Sequence, residues 1–195
     1  SMASALFWFP VVGLTMGWIV YGFAGAVDWA ASQKWPEAAA FAALGGGVLL
    51  TRGLHLDGLS DWADSFGSLG DRERMLKIMK DSRVGVFGVL AVISLCLGKW
   101  IVLVRLWQLR AGIWIVAAYV ASRAAQVELA AGLPYARLEG GTARGFVEGA
   151  GLGQRIVSLG GCGLPSGWCA RAVAGAVALG AAGGEPRVES VYTWA

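Results

Sequence analysis

The chain has 195 residues, of which 56% are hydrophobic and only 15% charged. A soluble domain carries about 25% charge and a disordered chain more still, so both classes are excluded. The 30 glycines follow no G-X-Y period, which excludes collagen, and an odd count of three cysteines argues against a disulfide scaffold. A net charge of +3 without a basic face argues against a nucleic-acid partner. The composition and a mean hydropathy of +0.60 leave an all-α, polytopic transmembrane helical bundle.

Leu6 to Val27 is the clearest span, 22 residues without a charge and long enough to cross roughly 30 Å of hydrocarbon. No Lys or Arg precedes it, so it lacks the start of a signal peptide. Within it, Gly13 and Gly17 form a GxxxG that permits close helix contact. Ala38 to Thr51 is apolar but short, either extended downstream through Arg52 and Leu54 or a half-helix packed in a bundle. Val84 to Val104, interrupted by Lys99, and Ala111 to Ala131, which carries Arg123, Gln126 and Glu128, are two further spans. Residues 156–195 are Gly/Ala-rich, with one ill-defined helix expected near 167–183 and a polar tail. The chain thus divides into a membrane-embedded region, 1–155, and a divergent C-terminal segment, 156–195. Cys96, Cys162 and Cys169 lie in apolar surroundings and read as packing residues.

Residues 52–83 hold 12 of the chain's 29 formal charges, six of each sign. With the spans above, one side of the membrane collects 52–83 and 132–155 and most of the Lys and Arg. The positive-inside rule places that side, with the charged segment, in the cytoplasm.

Asp57, Asp61 and Asp64 are spaced i, i+4, i+7, which puts them within an arc of about 60° on a helix. Three carboxylates on one stripe beside apolar spans repel one another unless a cation neutralises them. Oxygen ligands alone suit Mg²⁺ or Mn²⁺ better than Zn²⁺. His55, the only histidine, lies about 160° around the helix from Asp57 and reads as a packing or hydrogen-bonding residue. Residues 71–83 then read as a short amphipathic interfacial helix, with Met75, Leu76, Ile78 and Met79 on its apolar side. Its basic face has two readings. It attracts anionic lipid headgroups, or Lys80 and Arg83 clamp phosphate oxygens while Asp81 joins the metal site, as phosphoryl transfer requires. Gly85 and Gly88 allow close approach of a ligand or of another helix.

HLDGLSDWAD, His55 to Asp64, followed by Arg74 to Gly85 with its KDSRVG ending, resembles the adenosylcobinamide-GDP ribazoletransferase, or cobalamin synthase, family. The two blocks in this order and spacing are highly specific. Softer similarity lies in Phe9-Pro10-Val11-Val12-Gly13, in Lys99, in Ser122-Arg123 and in Tyr135-Ala136-Arg137 through Phe146, so the resemblance covers about residues 6–150. It implies a multi-pass enzyme of the cytoplasmic (inner) membrane with its active site facing the cytoplasm. Its substrates would be adenosylcobinamide-GDP and α-ribazole or its 5′-phosphate, its product the joined nucleotide loop of cobalamin, and its leaving group GMP. The implied cofactor is Mg²⁺, on Asp57, Asp61, Asp64 and Asp81. Asp61, Asp81, Lys80 and Arg83 would be catalytic, and His55, Arg74, Lys99 and Arg123 would bind substrate. The lipid bilayer, a second copy of the chain and other corrinoid-assembly enzymes are the implied partners.

Ser60 stands where that family usually has Ala, and Ser65 where Gly is common. The family's earlier start and its later helices have no counterpart, and a fragment or a frameshift near residue 155 is expected. Three other functions compete. One is a membrane phosphotransferase of the CDP-alcohol kind, whose aspartate spacing differs. Another is a cation or proton transporter using the same acids with Lys99 and Arg123. The last is a non-catalytic membrane subunit.

Overall fold

A computed structural model describes residues 2–67, 72–81, 83–132 and 144–161, and among these the regular structure is entirely helical. After a 3₁₀ segment, Met2–Trp8, come α1 (Phe9–Ala30), α2 (Pro36–Leu50), α3 (Leu54–Gly67), α4 (Arg72–Ile78), α5 (Val86–Gln108), α6 (Ile113–Gly132), α7 (Arg144–Val147) and α8 (Leu152–Gly161). Three stretches are long and apolar enough to cross a membrane: Ser4–Ala30, Val86–Gln108 and Ile113–Gly132. The pair α2 and α3 passes the same test together but bends by 85° at its break. Alone, α2 is too short, and α3 carries three aspartates in its 14 residues and lies outside the apolar spans. The all-α membrane bundle expected from composition is therefore present. The helix expected near 167–183 lies outside the described residues, and α8 runs across the 155/156 boundary.

The ends of the helices differ from the charge-bounded spans by one to four residues, and at two of them the physical reason is visible. Both α2 and α5 stop in a Schellman motif. Gly53 N–H donates to Val48 O and Arg52 N–H to Leu49 O; Ala111 N–H donates to Leu106 O and Arg110 N–H to Trp107 O. The left-handed position of each motif is held by arginine, Arg52 at φ 52° and Arg110 at φ 54°. Glycine is the usual occupant, but a cation there favours the negative end of the helix dipole. The α2–α3 break is thus a built turn, and the bent pair forms either one broken span or a re-entrant segment.

The chain forms two compact units, Ser1–Thr15 with Ala117–Ala195, and Met16–Val116. In the first, Phe9 packs on Phe146 with ring centroids 6.4 Å apart. A Cβ at Gly13 would lie 3.0 Å from Val120 Cα, so the helices meet backbone to backbone there. Glu128 of α6 is buried at 3% exposure and paired with Arg155 of α8 at 2.9 Å. In the second unit, α5 packs along α2 and α3, and α4 packs on α3. The buried face of α2 is all small: Ala39, Ala40, Ala43, Gly46 and Gly47. Trp100 Nε1 of α5 donates to Glu37 O at 3.1 Å, and a Cβ at Gly17 would lie 2.8 Å from Val116 Cα.

Candidate active site

The second unit contains every expected site residue except Arg123. Asp57, Asp61 and Asp64 all stand on α3, as their spacing predicts. Asp57 is exposed in the first turn and Asp61 is half-buried. Among the described residues neither makes a hydrogen bond or an ion pair. Burial, and then the negative charges of Asp57 and Asp64, push the Asp61 carboxyl above the usual carboxylate value. Both causes disfavour the ionised form, loss of hydration first and the like charges second.

Asp64 is different. Its carboxylate accepts from Gly85 N–H at 2.7 Å and from Gly88 N–H at 2.8 Å. Gly85 is the N-cap of α5 and Gly88 its third residue, so an acid from another helix satisfies two of the donors that every helix start leaves open. A Cβ at Gly88 would collide with Ser60 Oγ and with the Asp64 carboxylate. Ser60 is buried at 5% exposure, and its hydroxyl has no hydrogen-bond partner among the described residues.

The helix expected over 71–83 is shorter, because α4 ends at Ile78. Lys80 lies in the following turn, and Asp81 and Arg83 are in irregular chain before Gly85. The helix gives way where Asp81 turns to Arg83. The Asp81 carboxylate accepts from the Arg83 backbone N–H at 3.1 Å and from its guanidinium, the shortest contact being Nη2 to Oδ2 at 2.6 Å. Such local side-chain bonds compete with helical ones. The Arg83 hydrogen bonds hold the Asp81 carboxyl below its ordinary value.

An open cleft of about 520 Å³ is lined by Glu73, Arg74, Lys77, Ile78 and Asp81. Lys77 and Glu73 were not among the expected site residues, although the i, i+4, i+8 spacing of Glu73, Lys77 and Asp81 in the sequence carried the signal. His55 is exposed at the start of α3. Lys99 is exposed on α5, about 16 Å along the helix from Gly88. Arg123 belongs to the other unit, where its guanidinium donates to Gln126 Oε1 at 2.8 Å. Among the described residues no three or more His, Cys, Asp or Glu side chains converge on a point that could hold a metal ion.

A family model described as cobalamin-5-phosphate synthase matches residues 1–185. The chain belongs to the cobalamin-5-phosphate synthase family. The family model extends beyond residues 6–150, which carry the resemblance by motif. Among similar proteins, the adenosylcobinamide-GDP ribazoletransferase of Chlorobaculum parvum is 54% identical over 80% of this chain and 60% of its own length. That of Chlorobium phaeobacteroides is 52% identical over 80% of this chain and 62% of its own. That of Pseudomonas syringae pv. syringae is 36% identical over 89% and 71%. The chain thus spans about 60% of the length of the first two relatives. No solved structure matches it.

Proposed function

We propose that the chain carries the catalytic segment of a membrane phosphotransferase joining the two halves of a corrinoid nucleotide loop. A ribose hydroxyl of α-ribazole, or of its 5′-phosphate, attacks the phosphorus that bears cobinamide in adenosylcobinamide-GDP. A new O–P bond forms, the bond from the attacked phosphorus to the bridging anhydride oxygen breaks, and GMP leaves with that oxygen. The hydroxyl proton passes to a carboxylate of the α3 stripe. The observation that carries this reading is the pair Asp57 and Asp61, two neighbouring carboxylates without partners among the described residues, on the helix that packs with α4, whose open cleft carries Arg74 and Lys77 beside Glu73 and Asp81.

The donor set fits Mg²⁺. Both groups offer oxygen, the raised Asp61 carboxyl lacks a counter-charge, and Mg²⁺ is ordinarily held by one or two carboxylates with water and substrate phosphates completing the shell. The absence of a convergent group of three among the described residues is therefore compatible with this ion. Asp57 and Asp61 would hold it, and it would neutralise charge on the phosphoryl oxygens. Arg74, Lys77 and Lys80 orient the diphosphate electrostatically. Arg83 contributes a guanidinium already aligned by Asp81, which lowers the cost of a bidentate phosphate contact. The excess of Lys and Arg on this side of the spans supports a cytoplasmic site.

The test is product formation by membranes containing the chain, supplied with adenosylcobinamide-GDP and α-ribazole 5′-phosphate. The expected result is GMP and completed corrinoid in equal amounts with Mg²⁺ and neither with EDTA. GMP without corrinoid, or transfer unaffected by EDTA, would reject the reading.

A further inference from the structure

Asp64 shares a stripe with Asp57 and Asp61, and its spacing alone counts it as a third ligand. Its surroundings give it another part. We propose that Asp64 is a positioning residue: its carboxylate clips the start of α5 to α3, and so holds the Lys80–Arg83 stretch in register with Asp57 and Asp61.

Three observations carry this. Both Asp64 oxygens are engaged by backbone donors, Gly85 N–H at 2.7 Å and Gly88 N–H at 2.8 Å. The first turn of α5 has no acidic residue and its N-cap makes no side-chain bond, so the cap and the charge that favours a helix start both come from 21 to 24 residues upstream. The receiving side is shaped for it: a side chain at either Gly85 or Gly88 would collide with the Asp64 carboxylate. The clip lies at a junction. Asp61 is one helical turn, about 4.5 Å of rise, from Asp64, and Arg83 is two residues, at most about 7 Å of chain, from Gly85. A carboxylate in this place fixes both the rotation of α3 against α5 and the path of the loop that enters α5.

What is positioned rests on the phosphotransferase reading; the clip itself does not. The experiment uses the full chain in detergent micelles and has three readouts: hydrogen exchange of the amides at 85 and 88, Mn²⁺ affinity by electron paramagnetic resonance, and turnover. Asp64→Asn is nearly isosteric. It is expected to speed exchange at those amides at least tenfold and lower turnover at least tenfold, with the Mn²⁺ Kd unchanged within twofold. Gly85→Ala, which removes no carboxylate, is expected to do the same. Asp57→Asn is expected to show the opposite signature, normal exchange with a Mn²⁺ Kd at least tenfold weaker. Unchanged exchange in Asp64→Asn overturns the clip. A Mn²⁺ Kd weakened in Asp64→Asn as much as in Asp57→Asn, with Gly85→Ala normal, makes Asp64 a ligand and overturns the positioning role. If the parent neither binds Mn²⁺ nor turns over, the phosphotransferase reading fails alone, and the exchange data still decide the clip.

Discussion

Replacing Asp61 by Asn should make the metal-free protein more stable while removing its activity. In the folded chain burial, and then the charges of Asp57 and Asp64, raise the Asp61 carboxyl above the ordinary value of 3.8. A folded state that holds the proton more tightly than the unfolded one loses stability as pH rises from the ordinary carboxylate value through the raised one. At neutral pH the penalty is fully present. Like-charge pairs one turn apart on a helix cost about 0.2–0.5 kcal/mol each, so relieving two gains roughly 0.4–1 kcal/mol. For a chain of this size that raises Tm by about 1–4 °C, less at high salt because the stripe is open to solvent. Thermal unfolding in detergent with EDTA at pH 7.5 measures it, and below pH 3.8 the difference between variant and parent should vanish. Adding Mg²⁺ should reverse the order. An ion at 100 times its Kd stabilises the parent by about 2.7 kcal/mol, and the variant, short of one carboxylate, gains much less. An Asp61→Asn variant that melts below the parent without metal would refute the reasoning, because the carboxylate would then have favourable partners of its own.

Ser60→Ala removes a buried hydroxyl without a hydrogen-bond partner among the described residues. It should stabilise the fold by about 1 kcal/mol in the same melting assay. Arg155→Met leaves Glu128 buried without its cation and should cost about 1–3 kcal/mol; adding Glu128→Gln should recover most of that loss. Arg83→Met should let the Asp81 titration midpoint rise towards the ordinary value, read by carboxyl ¹³C NMR. Stability that the depressed carboxyl contributes at neutral pH, and loses as pH falls through its folded value, should disappear with the pair. The KM for the nucleotide substrate should rise in the same variant.

The spans were legible because charge bounds them in the sequence and because lipid leaves few other folds for 56% hydrophobic residues. Their ends were not, because arginine fills the left-handed positions at 52 and 110 where glycine would have marked the stop. The acidic stripe on α3 follows from helical period alone. The role of Asp64 does not, since its partners lie 21 and 24 residues away and are backbone amides that any residue type supplies. Two glycines three apart announced a close approach, but not what approaches. The shortening of α4 was hidden for a similar reason. Propensity favours a helix through Lys80, and the Asp81–Arg83 bonds that end it are visible only once the chain has turned.

The measurement that bears most directly on the Asp57–Asp61 site is single-turnover GMP release, with parent, Asp57→Asn and Asp61→Asn proteins side by side across a Mg²⁺ titration. A parent that releases GMP with saturating Mg²⁺ dependence, and two variants that need far more Mg²⁺ or release none, is the predicted result. Equal release by all three at the same Mg²⁺ would contradict a site built on these two carboxylates.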